Sequence, residues 1–202
     1  MPADLWEETD MLDLAPPAEH VTTLARAITS EQLAHPTPCS GTDVATLLNH
    51  LLGLSVAFRD AAGKIDGPTT STPPQAAEGE LPEDWATLMP QRLEELALAW
   101  SAPGAWEGLT QVGGQTLPGA VAGLVANNEL VLHGWDLAVA TGQPFQAAPD
   151  NLQASWEFVS QTPDDPAARA GLFGPVVSVP ADASLLDRTL GQAGRDPHWT
   201  GR

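Results

Sequence analysis

Residues 118–142, PGAVAGLVANNELVLHGWDLAVATG, admit few folds. A proline at the front suits the first turn of a helix, and a glycine at the end suits a left-handed stop. Between them Ala122, Ala126, Leu130, Val131, Leu137 and Ala140 cover nearly every face. A helix that is apolar almost all round has to be central, with other helices wrapped about it. Glu129, His133 and Asp136 then stand where solvent should not reach.

The remaining chain supplies the wrapping. A first helix is expected from about Pro16 to Ile28, with Val21, Leu24, Ala25 and Ile28 on one face. HPTPCSGT follows as a loop, because its prolines cannot continue a helix. Ser40 or Thr42 can cap a second helix that runs to about Ala62 and stops at Gly63. Residues 63–82 read as a long loop rich in Pro, Gly, Thr and Ser. A third helix covers about Asp84 to Trp100, with Pro90 kinking it or marking its start. A glycine pair at 113 and 114 reads as the turn of a short hairpin. The central stretch is then the fourth helix, from about Pro118 to Ala140.

Four helices of this length make an antiparallel bundle, so the fold is expected to be mainly α. Residues 1–145 would form it. Residues 146–202 would be a C-terminal extension packed on the bundle: a short helix NLQASWEFVSQ, a β-prone patch GPVVSVP, a helix from about Ser184 to Gln192, and a loop. That makes the extension a short α/β appendage.

Charge narrows the partners. The net charge is −18, with seven arginines and one lysine against 26 acidic residues, a field that repels nucleic acid and anionic membranes. No apolar run approaches the roughly 18 residues of a membrane span, and the acidic start MPADLWEETDMLD has no signal-peptide pattern, so a cytoplasmic protein is expected. The arginine, alanine, proline and glycine bias is that of a GC-rich bacterial genome. Cys39 is the single cysteine, which excludes an intrachain disulfide and a multi-cysteine zinc site.

Residues four apart on a helix project the same way, so Glu129 and His133 share a face. His50, in LLNHLLGL on the second helix, is a third polar group among leucines. If the second and fourth helices are neighbours, His50, Glu129 and His133 can converge. Two imidazoles and one carboxylate form a common zinc set with a coordination position left open. Asp136, a turn beyond His133, could orient a ligand imidazole through its other nitrogen. The competing reading is a set of buried polar residues that satisfy one another. Spacing alone does not choose, since Glu31 and His35 repeat it just before Pro36.

TPCSGTDVATLLNHLLG and NELVLHGWDLAVATGQ, joined to the closing FGPVVSVPADASLLDRTLGQAGRDPHW, resemble the metal-binding domain of mycothiol-dependent maleylpyruvate isomerases, in the DinB-like helical-bundle superfamily. The resemblance runs from about residue 20 to the end, and the tail is that of a separate branch. It implies a divalent metal, zinc first and nickel or ferrous iron as alternatives, on His50, Glu129 and His133. It implies mycothiol as thiol cosubstrate and a small electrophilic substrate, in isomerisation or thiol transfer. The alternative is a non-catalytic metal-binding or regulatory bundle, and a homodimer is compatible with either. About 60 residues follow Gly142, too few for the separate C-terminal domain of such isomerases, so the resemblance does not extend to the substrate.

Trp135 is a candidate wall for a cofactor pocket, and core packing is its competing role. Cys39, just ahead of the second helix, reads as a structural cysteine in a proline-bracketed turn rather than a nucleophile. Arg59, nine residues from His50, faces the other side of its helix. Asn49 points about 100° from His50. His20, His35 and His198 lie near helix ends or in loops and are expected in solvent. No general acid or base is assigned.

Overall fold

The computed structural model describes residues 11–72 and 80–201. The acidic N-terminal ten residues and 73–79 of the proline- and threonine-rich loop lie outside the described residues. The fold is mainly helical.

Prolines open α1 (Ala15–Ala27) at its first positions, and Val21 and Leu24 on one of its faces are buried. A 3-10 turn, Ser30–Ala34, holds the Glu31 and His35 repeat outside any α-helix. Asp43, rather than Ser40 or Thr42, caps α2 (Val44–Ala62), accepting a hydrogen bond from Thr46 N–H at 2.8 Å. Gly63 follows with ordinary helical φ, and Lys64 takes the left-handed conformation beyond it (φ 56°).

The connection to α4 (Trp85–Trp100) includes the single turn α3 (Pro68–Ser71). α4 continues through Pro90, which therefore does not mark its start. A further turn, α5 (Pro103–Trp106), leads to β1 (Leu109–Val112) and β2 (Gln115–Pro118), an antiparallel hairpin. Gly113 and Gly114 both have positive φ (57° and 77°), as a tight hairpin turn demands.

α6 (Gly119–Thr141) is the central helix, ended by Gly142 in the left-handed conformation (φ 69°). It is buried on nearly every side because α1 and α2 cover one half and α7 (Pro149–Ser160) covers the other. The bundle is a ring in which α1 packs on α4, α4 on α2, α2 on α6 and α6 on α1. Arg92 donates to Leu52 O and Trp100 Nε1–H to Phe58 O, so α4 and α2 advance together and are parallel. His50 lies opposite Glu129 and His133, whereas Trp100, at the far end of α2, meets Gly123, so α2 and α6 are antiparallel. The long 63–84 connection permits the parallel pair, since it can recross the bundle's length.

The C-terminal segment adds α8 (Pro166–Arg169) and α9 (Leu185–Gln192). The β-prone patch forms no strand among the described residues; Val177 N–H bonds instead to Gly191 O. α9 packs on α7, and Leu132, Trp135, Val159, Leu190 and Ala193 make a second small core beside the main one.

Gly123 is where α6 meets the end of α4. A methyl group there would run into the Trp106 ring and lie 2.9 Å from the Trp100 ring. Trp100 is 1% exposed and cannot swing aside. Gly123→Ala is expected to destabilise the fold by about 1–3 kcal/mol through overpacking. Urea unfolding checks this, and an unchanged midpoint would contradict the packing described.

Candidate metal centre

The site forms where α2 and α6 face each other two turns into α2. The Asp43 cap sets the start of α2 and therefore the rotation of His50. His50 turns its ring edge-on to His133, with centroids 5.1 Å apart and planes at 90°. Glu129 Oε2 lies 3.0 Å from His133 Nε2 and 3.7 Å from His50 Nε2. One donor atom from each of the three residues lies within 4.8 Å of the others. Donors held about 2.0–2.1 Å from a tetrahedral ion are roughly 3.3 Å apart, which these separations bracket.

Glu129 Oε2 is buried and has no hydrogen-bond partner among the described residues. His133 Nε2 is near enough but off the line a ring N–H would need. A buried anionic oxygen without a donor, aimed between two imidazole nitrogens, fits a cation better than a hydrogen-bonded cluster. The donor set of two nitrogens and one oxygen suits zinc and its neighbours in the first transition row.

Around His133 the other contacts are satisfied. Its Nδ1 is 2.9 Å from Asp136 Oδ2, and Asp136 has no exposed surface. Arg195, from the loop after α9, reaches back to Asp136 Oδ2 at 3.0 Å. The Cys39 thiol donates to the same oxygen at 3.1 Å and receives Arg195 Nη2–H at 3.6 Å. Cys39 gets there because its loop is closed by hydrogen bonds from Val44 N–H to His35 O and from Thr37 N–H to Thr42 O. Cys39, His133 and Asp136 also offer three close donor atoms, but Arg195 and the thiol proton already occupy Asp136 Oδ2.

The charges hold one another. Burial pushes the Glu129 carboxyl up, yet His133 and His50 outweigh it and hold it far below the usual carboxylate range. Burial pushes the Asp136 carboxyl up as well, and the Arg195 guanidinium with His133 brings it down to about 2. For His133, burial disfavours the imidazolium, but Asp136, Cys39 and Glu129 raise its pKa well above the ordinary value.

A cavity of about 560 Å³ opens on Glu129 and His133. Its walls come from the Cys39 loop, the 171–175 segment and residues 193–195. The C-terminal segment thus builds half of the cavity over a centre held by the bundle.

The profile of the mycothiol maleylpyruvate isomerase N-terminal domain matches residues 14–138. The chain belongs to that family. Its fold is similar to the crystal structure of mycothiol-dependent maleylpyruvate isomerase, with a TM-score of 0.58 at 16% identity over 77% of this chain and 75% of that one. A histidine-to-alanine mutant of a mycothiol-dependent maleylpyruvate isomerase aligns with a TM-score of 0.59 at 14% identity over the same shares. No curated protein matches the chain. The family match stops before Arg195, which lies in the segment that walls the cavity.

Some sequence-based expectations need correction. Trp135 does not line the cavity: two residues beyond His133 it points about 200° away around the helix, into the second core, and is 4% exposed. His20 is half-buried, its ring edge-on to Phe145 at 5.1 Å, and burial lowers its pKa. His35 and His198 are exposed. Arg59 faces away from the site and pairs with Asp60 and Glu95, each at 2.7 Å.

Two contributors were not found from sequence. Arg195 lies 59 residues beyond Asp136 in no local motif. The available signal was the need of a buried Asp136 for a counterion in a chain with only eight cations. Asn128, in a helix whose sequence is otherwise largely apolar, lines the cavity as well.

Proposed function

We propose that the chain is a divalent-metal-dependent enzyme of this family, holding the ion on His50, Glu129 and His133 and using a low-molecular-weight thiol, mycothiol, on a small electrophilic substrate. The observation that carries the reading is the buried, donorless Glu129 Oε2 between two imidazole nitrogens at the floor of a cavity. The ion, when bound, supplies Lewis acidity that keeps a coordinated thiol deprotonated near neutral pH. Zinc is the first choice for two nitrogens and an oxygen, with nickel or ferrous iron as alternatives.

Each residue has a task in this reading. Asp136 receives the Nδ1 proton of His133 and so directs the Nε2 lone pair toward Glu129 and His50. Arg195 keeps Asp136 ionised, and the Cys39 thiol donates to the same carboxylate oxygen rather than acting as the nucleophile. The reaction class is formation of a carbon–sulfur bond at an electrophilic carbon. Subsequent bond rotation and elimination of the thiol isomerises the substrate, whereas retention of the bond transfers the thiol.

An open cavity over Glu129 and His133 favours an enzyme over a regulatory bundle with a closed metal site. Among the described residues no helix is long and apolar enough to cross a membrane, which agrees with small-molecule chemistry in water. Incubating zinc-loaded protein with mycothiol and a panel of activated alkenes, including maleylpyruvate, should consume thiol or isomerise the alkene. Chelator-stripped protein should be at least about 100-fold slower. Equal rates with and without metal would remove the proposal.

A further inference from the structure

Arg169, the last residue of the single turn α8, carries a guanidinium that the centre described above does not use. It is 2% exposed, yet both of its acceptors are backbone carbonyls rather than a carboxylate. Nε–H donates to Gly174 O at 2.7 Å and Nη2–H to Gln192 O at 2.6 Å. The Phe173 ring centroid lies 5.6 Å from its Cζ, and Nη1 is buried with no partner among the described residues. Burying a cation against dipoles alone is costly, and a methionine would occupy similar space without that cost. What methionine cannot do is grip two chain segments at once with a planar fork.

The two segments are the ones that wall the cavity. Gly174 belongs to the 171–175 wall, and Gln192 ends α9 directly before the 193–195 wall. Gly194 (φ 81°) turns the chain out of α9, with its N–H on Gly191 O at 3.1 Å and Arg195 N–H on Leu190 O at 2.8 Å. The Gly174 backbone backs this turn so closely that a Cβ on Gly194 would stand 2.8 Å from Gly174 Cα. Arg195 leaves the turn toward Asp136, and Asp136 holds His133. We propose that Arg169 is a positioning residue for the metal centre. By bolting the 171–175 wall to the end of α9 it aims Arg195 at Asp136, and through Asp136 it sets the orientation of His133. The proposal rests on the metal-binding reading above and extends it to a residue beyond the stretch that the family match covers.

The Zn2+ affinity of the full chain, measured by competition with a chromophoric chelator, tests this without turnover. The variants are Arg169→Met, Arg195→Met and the two together, each checked for native helicity by circular dichroism at the temperature used. Arg169→Met is expected to weaken Zn2+ binding about tenfold, as loss of a group that holds a metal ligand in place does. Arg195→Met should weaken it by at least as much. Adding Arg169→Met to Arg195→Met should cost nothing further, because the first residue acts only through the second. Arg169→Lys keeps the charge but cannot span both carbonyls, so it should lose between about two- and tenfold, and nothing in the Arg195→Met background. It carries the comparison if Arg169→Met does not fold. Unchanged affinity in the Arg169 variants or in Arg195→Met, or a loss that persists undiminished beside Arg195→Met, overturns the inference while the metal reading stands. A wild-type chain that takes up no Zn2+ overturns that reading and the inference with it.

Discussion

His133→Ala should leave the protein folded but unable to retain a divalent ion through dialysis, with affinity reduced by about 10²- to 10³-fold. The expected size follows from removing one of three protein donors in a site where each carries a large share of the binding free energy. His133 faces Glu129 Oε2 at 3.0 Å, and its loss leaves His50 and Glu129 3.7 Å apart with no third donor. His50→Ala should behave alike. His35→Ala supplies the control, since that imidazole has the same spacing from a glutamate yet is exposed. Metal content by mass spectrometry and competition with a chromophoric chelator give the two numbers. Stoichiometric metal in both His50→Ala and His133→Ala would place the ion elsewhere.

Asp136→Ala should be the most destabilising substitution near the centre, by about 3–5 kcal/mol. The carboxylate is fully buried and receives Arg195, Cys39 and His133. Its removal strands a largely buried guanidinium, and that orphaned charge sets the size of the loss. Metal affinity should fall by about 10- to 100-fold as well, because His133 loses the partner that orients it. The pH dependence has a defined sign. Asp136 titrates at about 2 in the fold against an ordinary 3.8, so its contribution is complete above the higher value and disappears as pH falls through the lower. Asp136→Asn should lack this acid limb. Urea unfolding at several pH values measures both effects, and a loss under 1 kcal/mol for Asp136→Ala would mean that Arg195 finds water instead.

Most of the helical architecture was legible in the sequence because it depends on local terms. Prolines at 16 and 118 and glycines at 113, 114 and 142 act on their own backbone torsions, so the start of α1, the hairpin turn and both ends of α6 fall within a residue or two of expectation, whereas the single turn α5 at Pro103 was not expected. The apolar surface of α6 required a central place whatever surrounded it. Glu129 and His133 were bound to share a face by helical geometry. Where local terms compete the sequence is less decisive: Ser40 and Thr42 were the expected caps of α2, and Asp43 takes that place because its carboxylate reaches Thr46 N–H. The β-prone patch pairs with no strand among the described residues and bonds to the end of α9 instead.

What the chain by itself determined was the set of helices and the shared face of Glu129 and His133, since both follow from bonds and torsions a few residues long. Only the tertiary structure decided that α4 runs parallel to α2, that Trp135 turns into the second core, and that Arg195 closes on Asp136 across 59 residues. Those outcomes come from packing and charge pairing between distant segments. No periodicity along the chain encodes such pairings.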